Sequence, residues 1–266
     1  MTDRQSLDTL CAALCHIMGI DPPPQANTPD RRLTDYTSTA FGGQKADRLF
    51  MYNPDAVAEW IFEKYPAFFA DATARTTLQL PYETVMPSVT PVCFGTMYTG
   101  VQPAVHGIQS YKKPVLKIET LFDQLLRAGK KPAIVADSEC SIGKIFLERE
   151  MDYFIYDTLP ELNAKAAELI LRDEHDAIIV YNGNYDSRMH KTGPESVAAL
   201  GELQRNVQAF ATFSELIRTH WQSHNTLVGF AMDHGCHAID GDSGSHGLDM
   251  PEDLHITHLY QAYPHK

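Results

Sequence analysis

The sequence predicts an α/β fold in which a mainly parallel sheet is covered by helices on both of its faces. Segments typical of strands and of helices alternate from residue 119 to residue 232, and such alternation indicates parallel strands joined by helical crossovers. The chain has 266 residues, 44% of them hydrophobic, which suffices for one large core. We find no internal repeat and no low-complexity tract.

Residues 1–46 are expected to form a helix and a connecting segment that pack on a core domain of residues 47–266. Apolar residues recur at helical spacing over residues 6–18, behind Ser6 as a possible N-cap. Residues 21–46 are rich in Pro, Thr, Asp and Gly, so we predict a connecting segment without regular structure there.

The core domain begins with a short apolar strand at residues 49–52, which a helix around residues 57–62 follows. A second strand signal lies at residues 84–86, and residues 91–99 predict a helix that ends at Gly100. The later elements are helix 119–128, strand 132–136, helix 142–149, strand 152–156, helix 160–171, strand 176–182, a long helix 195–220 and strand 226–232.

The composition restricts the kinds of molecule that this protein is expected to bind. The formal net charge of -12 argues against a protein that binds nucleic-acid polymers, because a surface that follows phosphates is basic. The sequence shows no signal peptide, and no apolar run approaches the ~20 residues that cross a bilayer. Its five cysteines, an odd number without framework spacing, suit a reducing compartment. We therefore expect a cytoplasmic protein with a small-molecule substrate and no membrane partner, and the oligomeric state stays open.

Carboxylate and imidazole side chains follow several of the predicted strands. Ligands of open α/β sheets bind outside the carboxyl ends of the strands, so these side chains are expected to meet at one edge. A solvated loop is the better explanation of any one of them taken alone, but together they have the makeup of a two-metal site that acts on phosphoryl groups. The set is Asp55, Asp186, His190, Asp233, His234 and His246.

Thr90 is the candidate nucleophile. It precedes Pro91 at the start of a predicted helix, where free backbone N–H groups and the helix dipole favour an oxyanion or a phosphate. A threonine hydroxyl is a weak nucleophile unless a base or a metal lowers its pKa. Taken alone, Thr90 fits the role of a helix N-cap better, but the candidate metal ligands favour the nucleophile.

These motifs resemble the alkaline phosphatase superfamily, and within it the type I phosphodiesterase/nucleotide pyrophosphatase branch. The resemblance spans roughly residues 47–260 and implies a three-layer sandwich. A single long helix between His190 and Asp233 leaves room for little or no cap on this alkaline phosphatase-like core. The resemblance lies in Asn53-Pro54-Asp55-Ala56, in Pro87-Ser88-Val89-Thr90 with residues 99–108, in Asp186 to His190 with Gly193-Pro194, and in Asp233-His234-Gly235 through Ser245-His246-Gly247.

The resemblance implies two divalent metal ions, most often Zn²⁺, although the ligand types also admit Mn²⁺ and other transition metals. One ion would be held by Asp186, His190 and His246. The other would be held by Asp55, Asp233 and His234, with Thr90 as the attacking ligand.

The activity that the resemblance implies is hydrolysis of a phosphodiester or of a nucleotide pyrophosphate bond through a covalent phosphothreonine. Phosphomonoester hydrolysis, phosphonate hydrolysis and phosphoryl transfer on the same metal pair are the alternatives within enzymes. A protein that binds an anionic ligand in a metal-dependent way without turnover is the alternative from another class.

One position departs from the pattern of this branch. Tyr111 stands where the branch has an asparagine that holds a non-bridging phosphate oxygen, and a phenol could donate the same hydrogen bond. Lys112 and Lys113 follow and would suit a monoester dianion, although a solvated pair of loop lysines is the simpler interpretation. We take Tyr111 and Lys112 as candidate substrate contacts. His106, in the His-Gly-Ile turn, is predicted to be structural.

Overall fold

Apolar and β-branched segments form the strands of one central sheet and of one small hairpin. The computed structural model describes residues 4–266. In that range the strands are β1 (Gln5–Ser6), β2 (Arg48–Pro54), β3 (Leu78–Glu83), β4 (Pro132–Asp137), β5 (Asp152–Tyr156), β6 (Ala177–Asn182), β7 (Thr226–Phe230), β8 (His237–Ile239), β9 (Ser243–Ser245) and β10 (His255–Tyr263).

The helices alternate with these strands along most of the chain. Two short 3₁₀ turns, Leu7–Thr9 and Pro66–Phe69, accompany them. Within residues 4–266 the α-helices are α1 (Leu10–Ile17), α2 (Arg31–Ala40), α3 (Glu59–Lys64), α4 (Ala70–Thr73), α5 (Thr90–Thr99), α6 (Pro103–His106), α7 (Leu121–Arg127), α8 (Ser141–Ile145), α9 (Leu159–Arg172), α10 (Asn184–Thr192), α11 (Val197–His220) and α12 (Pro251–Leu254).

The central sheet has the strand order β1-β3-β10-β7-β2-β6-β4-β5. Strand β2 pairs in parallel with β6 on one side and with β7 on the other, and β4 and β5 continue the parallel pairing beyond β6. Strand β10 runs antiparallel to both of its neighbours, β3 and β7. The sheet is therefore mainly parallel, as the alternating pattern predicts.

Alternate residues of β2 face the two helical layers. Phe50 and Tyr52 pack against Phe213 of α11, with ring centroids 5.5 and 5.9 Å apart. On the opposite face, Asn53 accepts a hydrogen bond of 2.7 Å from the hydroxyl of Tyr98 in α5. Because successive side chains of a strand point to opposite faces, this alternation gives the predicted three-layer α/β sandwich.

The N-terminal region differs from the prediction in two elements, the short strand β1 and the helix α2. The helix expected at residues 6–18 forms as the 3₁₀ turn and α1, although the side chain of Ser6 caps neither. The connecting segment expected over residues 21–46 is wrong for residues 31–40, which form α2. Asp30 caps α2 by accepting from the N–H of Arg32 at 2.9 Å, and few apolar residues were present to reveal this helix. The separation of residues 1–46 from the core domain stays a prediction.

Two strand assignments are also corrected. The strand predicted at residues 84–86 is wrong in position, because the strand of this region is β3 at Leu78–Glu83. The whole of β10 was not predicted. Strand β10 contains polar residues such as His258, which is fully buried and bonded to the carbonyl of Met232 at 2.7 Å. A polar side chain that finds its partner only in the folded protein does not look like a core residue in the sequence.

The helices predicted for the core domain begin and end within a few residues of the expected positions, with one larger difference. Helices α4, α6, α10 and α12 and the hairpin strands β8 and β9 were not predicted. The helix predicted at residues 142–149 ends at Ile145. The stretch between His190 and Asp233 contains the end of α10, then α11 and β7, so it holds no inserted cap. Across residues 4–266, the structure contains no helix both long and apolar enough to span a membrane.

The cysteines of the chain are all free and buried. Cys11 and Cys15 lie in the core beside Leu14, as expected for small apolar side chains. His16 is exposed and its Nε2 lies 3.2 Å from the ammonium of Lys45. Cys93 is buried within α5 and belongs to the same core.

We predict that His258 makes stability depend on pH. Burial lowers the pKa of His258 to about 4, whereas an unfolded histidine has a pKa of about 6.5. Between these two pKa values the unfolded chain binds more protons than the folded protein. The contribution of His258 to the free energy of unfolding is therefore complete above pH ~6.5 and is lost as pH falls to ~4. It amounts to about 3 kcal/mol.

Denaturant unfolding of wild-type protein and of His258→Gln across this pH range tests the prediction. Gln retains a donor for the carbonyl of Met232 but does not titrate. The destabilisation caused by His258→Gln should therefore be largest near pH 7 and shrink towards pH 4. A destabilisation that is the same at every pH would contradict it.

Candidate metal centre

The candidate ligands meet because three adjacent parallel strands end at the same edge of the sheet. Strand β2 lies between β7 and β6, and Asp55 follows the last residue of β2. The backbone N–H of Asp55 donates to the carbonyl of Asn182 at 3.1 Å, which continues the pairing with β6 beyond the strand. Asp233 and His234 follow β7, and Asp186 lies in the first turn of α10 after β6.

The six side chains form two three-residue clusters, and in each cluster one donor atom per residue lies within 4.8 Å of the others. The outer cluster is Asp186, His190 and His246, and the inner cluster is Asp55, Asp233 and His234. The inner cluster is buried, whereas the side chain of His190 is 40% exposed.

The two clusters are direct neighbours. The rings of His234 and His246, one from each cluster, have centroids 4.1 Å apart. Within the outer cluster, Nε2 of His190 and of His246 lie 3.2 and 3.3 Å from Oδ1 of Asp186. Within the inner cluster, Nε2 of His234 lies 3.3 Å from both Oδ1 of Asp55 and Oδ2 of Asp233.

The three histidines share one orientation. Nδ1 of His190 donates to the carbonyl of Gly244, Nδ1 of His234 to that of Gly235, and Nδ1 of His246 to that of Ser88. Each of these bonds is 2.9 Å long. A proton fixed on Nδ1 leaves Nε2 as the atom that faces the cluster, which is the usual arrangement of a metal-ligating histidine.

The carboxylates fit metal ions because they bury oxygen atoms that nothing else satisfies. Oδ1 of Asp55, Oδ1 of Asp186 and Oδ2 of Asp233 are buried and accept no hydrogen bond from residues 4–266. These are the same atoms that lie beside the histidine Nε2 atoms. Burying an unpaired carboxylate oxygen is costly, and a divalent cation bound here would offset that cost. Carboxylate and imidazole ligands suit Zn²⁺, and also Mn²⁺, iron or Co²⁺.

The electrostatics of the clusters agree with this fit. Burial raises the pKa of Asp55, and the Asp186 carboxylate raises it further. Burial, followed by the Asp55 carboxylate, raises the pKa of Asp233 well above its usual range. The neighbouring Asp186 carboxylate raises the pKa of His190 to about 9, so a cation in the outer cluster would compete with a proton on Nε2.

Thr90 is the first residue of α5 and its hydroxyl lies at the inner cluster. Oγ1 is 3.3 Å from Oδ2 of Asp55 and 3.3 Å from Nε2 of His234. The N-cap of α5 is Val89, and no side chain caps this helix. The N-cap alternative for Thr90 is therefore wrong, and its buried hydroxyl faces the candidate ligands instead.

Backbone features around the clusters could not be predicted from the sequence. Ala56 adopts a left-handed conformation with φ of 61°, which is strained for a residue with a Cβ. In this conformation its N–H donates to Oδ1 of Asp233 at 3.2 Å. This bond engages Oδ1 of Asp233 and leaves Oδ2 to face the inner cluster.

Asp253 connects the two loops that carry His234 and His246. Its carbonyl accepts from the N–H of Gly235 at 2.8 Å, and its Oδ2 accepts from the N–H of Leu248 at 2.8 Å. Its Oδ1 bonds Nδ1 of His237 at 2.7 Å. Asp253 is fully buried and was not singled out in the sequence, because a lone Asp in a polar segment carries no signal of such contacts.

The two candidate substrate contacts, Tyr111 and Lys112, have different surroundings. Tyr111 is 60% exposed, and partial burial together with the Asp55 and Asp186 carboxylates raises the pKa of its hydroxyl. Lys112 is exposed, and its ammonium forms no ion pair with any of residues 4–266. The ammonium of Lys113 lies 5.2 Å from the centroid of the Tyr111 ring, so Lys113 is the lysine that accompanies Tyr111.

His106 supports α5 and lies in neither cluster. Its Nε2 bonds the hydroxyl of Thr96 at 3.1 Å, and its Nδ1 accepts from the N–H of Ile108 at 3.2 Å. A Cβ at Gly95 would lie 2.8 Å from this ring, so glycine is needed for the close approach. These contacts give His106 a structural role.

We predict that Gly235→Ala destabilises the protein by roughly 3 kcal/mol. A Cβ at Gly235 would overlap the carbonyl oxygen of Glu252, and backbone cannot move aside as a side chain can. Gly201→Ala is the matched control, because a Cβ at Gly201 in α11 meets nothing within 4 Å and alanine favours a helix. Denaturant unfolding measures both variants, and equal stability of Gly235→Ala and wild-type protein would contradict the steric argument.

Comparison with solved structures identifies relatives of the fold. No protein-family profile and no curated protein matches the sequence. Murine ectonucleotide pyrophosphatase/phosphodiesterase 5 superposes with a TM-score of 0.58 and 15% identity, over 73% of this chain and 58% of its own. An inactive variant of that protein in complex with AMP gives the same TM-score. Phosphonoacetate hydrolase from Sinorhizobium meliloti, in complex with phosphonoformate, has a TM-score of 0.55 and 16% identity over 74% of this chain.

The likeness to these structures is limited in coverage and in sequence identity. The chain spans 58% of the length of the murine protein and 59% of the length of the phosphonoacetate hydrolase. At 15–16% identity the likeness concerns the fold. The alternating sheet, its two helical layers and these neighbours together show that the chain has the alkaline phosphatase-like fold that its motifs predict.

Proposed function

We propose that this protein is a two-metal phosphoester hydrolase. The observation that carries the proposal is the pair of neighbouring Asp/His clusters. Each cluster buries a carboxylate oxygen that accepts no hydrogen bond from residues 4–266, and the hydroxyl of Thr90 lies at the inner cluster. Asp55, Asp233 and His234 would hold one divalent cation, and Asp186, His190 and His246 the other. Zn²⁺ is the proposed metal, with Mn²⁺ or another transition metal as the alternative.

The bound cations would supply Lewis acidity to the phosphoryl group and to the Thr90 hydroxyl. Thr90 gives up its proton, its Oγ1 bonds to phosphorus, and the bond from phosphorus to the leaving oxygen breaks as that oxygen takes up a proton. Water then adds to the phosphothreonine, and Oγ1 leaves and regains its proton. Thr90 lies at the N-terminal end of α5, where the helix dipole favours the developing negative charge.

The proposed substrate is small and carries a phosphodiester or nucleotide pyrophosphate bond. Two dications with three aspartates leave a small positive charge, which matches a singly charged diester. The inactive murine neighbour is in complex with AMP, and the bacterial neighbour with phosphonoformate, which supports a small phosphorus oxyanion as ligand. Tyr111 is the proposed hydrogen-bond donor at the rim. The five free cysteines support a cytoplasmic location.

Hydrolysis of a phosphonate or a phosphomonoester is the second candidate function. The observation in its favour is the ammonium of Lys113 beside Tyr111, since an added cation suits a more highly charged substrate. Phosphoryl transfer on the same site is a variant of this candidate. A panel of aryl monoester, diester, phosphonate and sulfate substrates with Zn²⁺ or Mn²⁺ tests both, and we expect the diester to be hydrolysed fastest.

We predict that Thr90→Ala lowers the rate of hydrolysis by about a thousandfold or more, while both metal ions remain bound. The variant removes the attacking oxygen but none of the six carboxylate and imidazole ligands. Thr96→Ala is the matched control, because Thr96 is buried in the same helix and contacts His106 instead of the clusters. Wild-type rates in Thr90→Ala would remove Thr90 from the mechanism.

Rapid quenching of wild-type protein in a single turnover should trap phosphate on Thr90, detectable by peptide mass spectrometry. Absence of any phosphothreonine across the substrate panel, with metals bound, would favour the alternative of a protein that binds an anion without turnover.

We predict that His246→Ala weakens one metal site and leaves the other intact. His246 belongs to the outer cluster only, so metal content after dialysis should fall from two equivalents towards one. His224→Ala is the control, because His224 bonds Asp173 outside both clusters at 2.8 Å. Loss of both ions, or of neither, would refute the assignment of ligands to clusters.

A further inference from the structure

A tyrosine that the candidate mechanism does not use lies against the inner cluster. The hydroxyl of Tyr181 donates a hydrogen bond to Oδ2 of Asp55. The register explains this contact, because Tyr181 on β6 is opposite Asn53 on β2, two residues before Asp55 and on the same face of the sheet. Tyr181 is 5% exposed, and its ring packs edge-on against Phe94 of α5 with centroids 5.6 Å apart.

The two oxygens of the Asp55 carboxylate have different surroundings. Oδ2 accepts from Tyr181 and lies 3.3 Å from the hydroxyl of Thr90. Oδ1 is buried, accepts no hydrogen bond from residues 4–266, and lies 3.3 Å from Nε2 of His234. The carboxylate is therefore held by one oxygen and presents the other to the cluster.

We propose that Tyr181 is a positioning residue, which fixes the rotation of the Asp55 carboxylate so that Oδ1 faces the inner metal ion. This inference rests on the proposed two-metal function and deepens it. When Thr90 loses its proton to become the nucleophile, it can no longer donate to Oδ2. Tyr181 is then the one side-chain donor left to that oxygen among residues 4–266. Groups that orient a metal ligand in this way contribute to metal affinity even though they do not touch the ion.

Gly183 keeps the space that the Tyr181 hydroxyl occupies. A Cβ at Gly183 would lie 2.8 Å from that hydroxyl oxygen and 3.0 Å from Oδ2 of Asp137. The φ of Gly183 is -93°, a value that any residue adopts. A glycine is therefore needed at this position because of the neighbouring side chains and not because of the backbone conformation. Gly183 also donates its N–H to Oδ2 of Asp137 at 3.3 Å, which holds the loop in place.

A buried phenol often bonds to whatever acceptor is near, so Tyr181 could be an ordinary core residue. The two roles differ in what they predict for Tyr181→Phe. An ordinary core hydroxyl contributes to folding stability alone. A positioning hydroxyl contributes to the affinity of one metal site, and the retained ring still packs against Phe94.

The test is a metal titration of Tyr181→Phe with Zn²⁺ alone and with Co²⁺ alone, performed also in the His246→Ala background, which isolates the inner cluster. We expect the affinity of the inner site to fall by about ten- to a hundredfold, and that of the outer site to stay at the wild-type value. The visible spectrum of Co²⁺ at the inner site should change as well. Tyr98→Phe is the matched control, since its buried hydroxyl bonds Asn53 at 2.7 Å and touches neither cluster.

Gly183→Ala provides a second variant that displaces the Tyr181 hydroxyl without altering Tyr181 or Asp55, and we expect the same selective loss at the inner site. Wild-type affinity at that site in both variants would overturn the inference alone. The inference would also be overturned if Tyr181→Phe lost the same metal affinity at both sites and Tyr98→Phe lost as much. Wild-type protein that binds no divalent cation would instead overturn the proposed function.

Discussion

The parallel pairing of β2 with β6 and β7 is the constraint on which the candidate centre depends. Strands that run side by side in one direction end at one edge of the sheet, so the residues after β2, β6 and β7 meet although they are far apart in the sequence. The continued bond from Asp55 to the carbonyl of Asn182 extends this order past the strand. That geometry places Asp55, Asp186, His190, Asp233 and His234, whereas His246 follows β9 of the small hairpin and Thr90 begins α5.

The same geometry concentrates negative charge where it is costly. Asp55 and Asp233 are buried within one cluster, and burial raises the pKa of both carboxyl groups. The Asp186 carboxylate raises the pKa of Asp55 further, and the Asp55 carboxylate raises that of Asp233. The fold retains this arrangement because the surrounding core is large and because one oxygen of each carboxylate accepts a hydrogen bond. These oxygens are Oδ1 of Asp233 and Oδ2 of Asp55. Local instability of this kind is characteristic of sites that bind ions or carry out chemistry.

Contacts behind the clusters decide how the ligands are oriented. Three backbone carbonyls hold the histidines, Ala56 holds Asp233, and Tyr181 holds Asp55. Asp253 joins the loops of His234 and His246 into one unit. Such contacts place ligand atoms within the small tolerance that metal coordination requires, and the buried segments around them are correspondingly intolerant of added volume at Gly235.

The sequence by itself determined the α/β class, most of the strands and helices after residue 47, the six candidate ligands and Thr90, because periodicity and motif order are local properties of the chain. It did not reveal α2 or β10, whose polar residues are satisfied only by distant partners such as the carbonyl of Met232 for His258. It also did not reveal Tyr181 or Asp253. Their roles come from strand register and loop contacts between residues distant in sequence, which exist only in the folded protein.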